Sequence, residues 1–172
     1  TMSNIPRLAK VCHDAGIPLV VDAAWAAHYG FHPELPEHPL AEGADIVVTS
    51  AHKTLPAWSQ ASFVLVREGL VDLKRFNKAF DSTQTTSMSG RILASIDASR
   101  ALLQLHGHDL IDPIIDATEK GRATLVANGI DVIDGEYIDP LKLVILLPKT
   151  GADGNLVEKD LLDANIDVEM AN

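Results

Sequence analysis

Apolar positions along the chain fall into two rhythms. Ile5, Leu8, Val11 and Cys12 recur at helical spacing, with Ser3 or Asn4 placed to cap the start and Gly16 placed to end it. That pattern predicts an opening helix through IPRLAKVCHDA. The next segment, IPLVVD, is an unbroken apolar run of strand length, the pattern of a parallel strand covered on both faces. A proline-rich stretch, FHPELPEHP, and a helical turn at LAEGA lead to a second run, DIVVTS, and ASFVLVRE reads as a third strand. Helix, strand, connection and strand in this order predict α/β organisation.

Further along, residues 70 to 79 predict a short helix and DSTQTTSMS, from Asp81 to Ser89, a polar loop of hydroxyl side chains. Ile92, Leu93, Ile96, Leu102 and Leu103 form an apolar stripe, so a long helix is expected from Gly90 to about Leu105. HGHD should break it, with another helix over 109 to 128. The remainder, with DVID, DPLKLVILLP and VEKDLLDAN, changes to strands separated by a helix. Residues 1–108 are therefore expected to form part of a large α/β domain. Residues 109–172 should supply an interdomain helix and the start of a small α+β domain. The texture at both ends, Thr1 to Asn4 and VEMAN, suggests a piece of a larger protein. No repeat or low-complexity segment is evident.

Bulk composition narrows the partners. Of the 172 residues 47% are apolar and 22% charged, and no run approaches the roughly 18 apolar residues of a membrane helix. A formal charge of -10, with 14 basic residues scattered among 24 acids, argues against a nucleic-acid backbone as main partner. Cys12 is the single cysteine, which rules out an intrachain disulfide framework and suits a reducing cytoplasm.

The candidate chemistry sits where the apolar runs end. Ligands of open parallel sheets sit outside the carboxyl ends of the strands. Asp22 ends the first run, and the second is followed by TSAHKTLPA, with Lys53 directly after His52 and three residues after Ser50. If the two strands are parallel, the carboxylate and the amine reach one crevice. A buried or half-buried amine there invites imine chemistry. A plain Lys–Asp ion pair is the bland alternative, as are a surface lysine and an aspartate that merely caps the following turn. The neighbours suggest more: Ala24 gives a flat approach, Trp25 an aromatic wall, and Ser50 with His52 donors to an anion. Pyridoxal phosphate asks for this set, since its aldehyde needs a lysine, its pyridine nitrogen a carboxylate and its phosphate hydroxyl and N–H donors.

The runs VVDAAWAAHYGFHP and GADIVVTSAHKTLPAWSQASFVLV resemble the large domain of the bacterial ornithine/lysine/arginine decarboxylases. The resemblance continues through TQTTSMSGRILASIDASRALL and IDPLKLVILL, so it spans nearly the whole chain in order. It implies part of a fold type I, aspartate aminotransferase-like large domain, three-layered α/β/α, followed by the start of a small α+β C-terminal domain. It implies pyridoxal 5'-phosphate as cofactor and decarboxylation of lysine, ornithine or arginine to the amine that feeds polyamine synthesis. In the family the lysine of S-x-H-K forms the internal aldimine, which falls on Lys53, and the preceding serine and histidine, here Ser50 and His52, help bind the cofactor. The aspartate of D-x-A-[HW] pairs with the pyridine nitrogen and falls on Asp22, with Ala24 and Trp25 lining the ring or phosphate side. A cytoplasmic homodimer or higher homo-oligomer is implied, with sites at the interface and the loop around Thr85, Thr86 and Ser87 reaching the neighbouring cofactor. Met88 departs from the family's T-T-S-P. The family's phosphate loop and ring-stacking side chain fall upstream of Thr1, so this piece alone is expected to be inactive.

Alternatives remain in view. Lys53 and Asp22 would equally serve an aminotransferase or an aldolase, and a noncatalytic piece could keep the fold. His28 and His32 stand at a metal spacing only if helical, which Gly30 and Pro33 oppose, so no metal site is expected. His38, His106 and His108 read as solvated loop residues, Cys12 as a small core hydrophobe, and Trp58 and Phe63 as packing. The loop at 82 to 89 is either a linker or part of the cofactor site.

Overall fold

The computed structural model describes residues 2–147 and 150–171. They fall into two compact units, Thr1–Pro113 and Ile114–Asn172. In the first, helix α1 (Ile5–Asp14) opens where expected. Asn4 accepts the Arg7 N–H at 2.9 Å, satisfying one of the four donors a helix start leaves open. Gly16, at φ +71°, turns the chain out of the helix and donates to the His13 carbonyl at 2.9 Å. Strand β1 (Val20–Asp22) then pairs in parallel with β2 (Ile46–Thr49), and β3 (Phe63–Val66) adds antiparallel to β2, in the order β1-β2-β3.

Ile5, Ala23, Ala44 and Val47 form the buried centre, with Leu19, Val21, Ala26 and Leu40 packed around them. Val20 and Val48 are exposed. Within the described residues β1 is thus covered on one face, not on both as its unbroken apolar run suggested, and β2 is likewise covered on one face. Asp45, buried just before β2, ties this centre to α1. Its Oδ2 accepts the Leu19 N–H at 2.8 Å and lies 2.8 Å from His13 Nε2. Burial pushes its carboxyl up, but the Leu19 N–H, His13 and Arg67 outweigh that and hold it below the ordinary carboxylate value.

A short helix, α2 (Ala51–Thr54), follows β2. Helix α3 (Leu73–Thr83) starts later and runs further than the sequence pattern indicated. Asp72 sets its start by accepting from the Lys74 and Arg75 N–H groups at 3.0 and 3.1 Å. The hydroxyl-rich loop shrinks accordingly to 84–89. Helix α4 (Gly90–Ala127) then corrects a clearer expectation, because HGHD does not break it. A helical glycine costs only about 1 kcal/mol against alanine. Gly107 repays it through contact, since a Cβ there would lie 2.8 Å from the Phe31 carbonyl oxygen. His106 and His108 are exposed as expected, but on a helix and not in a loop. Trp58 is 58% exposed instead of packed, while Phe63 is half-buried in β3.

In the second unit β4 (Asp131–Val132) and β5 (Ile145–Leu146) pair antiparallel, and α5 (Gly154–Asp163) follows both. The helix therefore succeeds the strands and does not separate them. Asp153 accepts from Asn155 and Leu156, which starts α5 three residues before Val157. Pro148, the last residue of the expected second strand segment, lies outside the described residues, as do Thr1 and Asn172. No helix among the described residues is long and apolar enough to cross a membrane.

Candidate functional site

Parallel pairing sends β1 and β2 out at the same end of the sheet. Asp22 stands opposite Val48, and the ladder continues one residue further, with the Ala23 N–H donating to the Val48 carbonyl at 2.8 Å. Thr49, buried at the end of β2, donates its hydroxyl to the Ala23 carbonyl at 2.9 Å. This bond fixes one exit against the other and was not singled out from sequence. A hydroxyl residue directly before Ser50 at the end of an apolar run was the available signal.

From the first exit Asp22 is exposed, and its Oδ1 accepts the Ala24 N–H at 3.1 Å. The carboxylate therefore does cap its turn, and it also faces solvent beside the second exit. Ala24 is half-buried and Trp25 borders on exposed. From the second exit Ser50 stands at the N-cap of α2 without making a side-chain capping bond. The Lys53 N–H closes the turn on the Ser50 carbonyl at 3.2 Å.

His52 is anchored twice to Ala61, through its backbone N–H at 3.2 Å and its Nδ1 at 2.8 Å from the same carbonyl. A carbonyl only accepts, so Nδ1 carries a proton and Nε2 is the ring nitrogen left for a ligand. With Nδ1 held by Ala61, a partner nine residues away, the contact with an anion expected of His52 would fall to Nε2. Lys53 itself is exposed, not buried or half-buried, although Ala51 and Leu55 on either side of it are buried. Its Nζ lies 4.7 Å from the centroid of a Trp25 ring, inside cation–π reach. The side chains following β1 and β2 thus meet.

Thr86 and Ser87 lie in the exposed segment between α3 and α4. The Ser87 N–H donates to the Thr85 hydroxyl at 3.2 Å, and among the described residues no hydrogen bond joins Thr86 or Ser87 to Asp22 or Lys53. His28 and His32 are both buried in the turns after β1 and are not helical, as the glycine and proline around them indicated.

An accessible primary amine over an indole, an exposed carboxylate at the adjoining exit and a hydroxyl not spent on capping fit the reactive and anionic parts of pyridoxal phosphate. The same groups serve any reaction of that cofactor, so geometry alone does not choose among them.

Comparison with known proteins supplies the lineage. Residues 1–136 match the major domain of the Orn/Lys/Arg decarboxylases. An arginine decarboxylase of Halalkalibacterium halodurans is 34% identical over 99% of this chain, which spans 37% of that protein's length. The lysine decarboxylase LdcA of Pseudomonas aeruginosa is 34% identical over 71% of the chain and 18% of its own length. The solved lysine decarboxylase A from Pseudomonas aeruginosa superposes with a TM-score of 0.75 at 22% identity, covering 96% of this chain and 30% of that one. That likeness carries the fold, an α/β large domain of the aminotransferase-like type, of which this chain holds a part. By the extent of the match and the identity of these relatives, the chain belongs to the Orn/Lys/Arg decarboxylase family.

Proposed function

We propose that this chain contributes the lysine and the carboxylate of a pyridoxal-phosphate site at which a basic amino acid loses its α-carboxylate as carbon dioxide. The observation that carries the reading is the Lys53 amine held over Trp25 at the exit of β2, beside Asp22 at the exit of the parallel strand β1. When bound, the cofactor supplies an electron sink for the pair left on the substrate's α-carbon. Lys53 Nζ is the amine that holds it covalently. Asp22 keeps a proton on the pyridine nitrogen, which sustains the electron demand of the ring. The Ser50 hydroxyl donates to the phosphate, Ala24 admits the flat ring, and the Trp25 indole excludes water from the side of the amine. His52, with Nδ1 engaged by Ala61, has Nε2 left to help bind the cofactor.

Residues 1–108 act in this reading as part of the cofactor-binding domain, and 109–172 as the interdomain helix and the start of the small domain. Thr86 and Ser87 reach the neighbouring subunit's cofactor in a cytoplasmic homodimer. Arginine is the first substrate to test, because an arginine decarboxylase is among the relatives similar over 99% of the chain.

Full-length protein loaded with pyridoxal phosphate should show the visible band of the bound cofactor, and Lys53→Ala should abolish it. An unchanged spectrum would sink the assignment. Carbon dioxide release from arginine, lysine and ornithine, assayed beside keto-acid formation, selects the reaction. Keto acid without carbon dioxide would replace the decarboxylase with an aminotransferase.

A further inference from the structure

Away from the strand exits, the structure brings together His32, His108 and Asp112, whose ligand atoms all lie within 4.8 Å of one another. His32 comes from the turns after β1, and the other two stand one helical turn apart on α4. The His32 side chain is 1% exposed, and its Nε2 lies 2.8 Å from Asp112 Oδ1. Its ring centroid is 4.5 Å from that of His108. The arrangement is held from both sides. Gly107 lets α4 touch the Phe31 carbonyl, so His32 is pressed onto the turn of helix that carries the other two.

We infer that these three side chains form a binding site for a zinc-class divalent cation, with water completing the shell. Two imidazoles and one carboxylate are the donor set that borderline metals prefer. The buried His32 supplies the fixed arm, while His108 and Asp112 are exposed and free to close on the ion. Around a metal with bonds of about 2.0–2.1 Å, neighbouring tetrahedral ligands stand about 3.3 Å apart, so modest rotation of the two exposed side chains closes the shell. The ion takes the place of the proton between Nε2 and Oδ1. His32 Nδ1 accepts the Glu34 N–H at 3.1 Å in the metal-free ring. On binding through Nε2 the ring proton moves to Nδ1, so the bond from the Glu34 N–H is the interaction the metal must displace. The spacing of His28 and His32 played no part. Both other ligands arrive from α4, a helix expected to break at HGHD, and Asp112 lies 80 positions from His32.

The test is zinc binding by the full-length holoenzyme, stripped with a chelator and dialysed against zinc chloride. Wild type is expected to hold one more zinc per chain than His108→Ala. Zinc should raise the melting temperature of wild type but not of that variant. Removing a ligand should weaken binding by at least about 100-fold, the upper end of what loss of an outer partner costs. His108→Ala and Asp112→Ala change exposed positions, and matched circular dichroism verifies their folding. His106→Ala, on the same helix but outside the cluster, should bind as wild type does. Equal zinc content and affinity in wild type and His108→Ala would overturn the site and leave a hydrogen-bonded clamp between His32 and Asp112.

Discussion

The exits of β1 and β2 and the seat of Phe31 and His32 on α4 are both places where segments distant in sequence meet, yet they are made differently. At the exits the functional side chains are exposed or half-buried, and their anchoring bonds are local: Asp22 to Ala24, Lys53 to Ser50, His52 to Ala61. At the seat on α4 a buried histidine meets an aspartate 80 positions away, and a missing Cβ sets the distance. The first arrangement leaves groups accessible to a ligand and contributes little to holding the fold. The second does the reverse. Substitutions should therefore separate by place, with activity falling at the exits and stability at the buried junctions.

Asp22→Ala is the strongest expected break. It removes the group proposed to hold a proton on the cofactor ring, and carbon dioxide release should fall by roughly 10²–10⁴-fold, the range for a positioned acid–base group. Thermal unfolding should hardly move, because the residue is exposed and its bond to Ala24 closes only a local turn. Parallel assays of turnover and melting check both halves. A melting temperature that drops in step with activity would erase the distinction between exit and junction.

Asp45→Ala probes the opposite side. The Leu19 N–H would lose its carboxylate partner, a cost of about 1–3 kcal/mol for a buried donor left unpaired. The pH dependence has a definite sign. The Asp45 carboxyl is held below its ordinary value in the folded protein, so its contribution is present above the unfolded value and is lost as pH falls through the folded one. Denaturant titrations across the acid range should show wild type losing stability in that window. The variant should be weaker at neutral pH and show a shallower acid decline. Equal acid slopes in the two proteins would remove Asp45 as the cause.

Gly107→Ala acts at the seat itself. The added methyl meets a backbone carbonyl that has no rotamer to escape into, and overpacking of this kind costs about 1–3 kcal/mol. Improved helix propensity returns up to about 1 kcal/mol of it. The net loss, read from denaturant midpoints, is expected to be smaller than at Asp45, and a net gain would show that the loop yields.

This position also marks where sequence reading stops. Asn4, Gly16 and the two apolar runs act within a few residues of themselves, so α1 and the strands were legible, as was the S-x-H-K segment after β2. The continuity of α4 was not, because HGHD contains residues that favour a break, and what overrides them is Phe31, far away in the chain. Burial of single aromatics was equally hidden. Trp58 has its backbone N–H fixed by the Ser95 hydroxyl at 3.1 Å while its ring stays exposed. The Asp72 and Asp153 caps, by contrast, are local signals that the apolar stripe alone did not use.

The smallest expected effect comes from the start of α1. Asn4 Oδ1 accepts the Arg7 N–H at 2.9 Å, and Asn4→Ala should cost about 1 kcal/mol through loss of that cap. The helix also buries Ile5 and Ala9 and presents His13 to Asp45, so fraying its first turn acts near the core. The His13–Asp45 contact nevertheless lies at the far end, and fraying falls off within a turn or two. Hydrogen exchange should therefore quicken at the first turn of α1 in Asn4→Ala and stay unchanged at Leu19, whose N–H is held by Asp45. Asn4→Asp, which keeps the acceptor, should restore the wild-type rates. Faster exchange at Leu19 would mean that α1 and the starts of β1 and β2 open as one unit, and the buried junction at Asp45 would then depend on the end of α1 opposite His13.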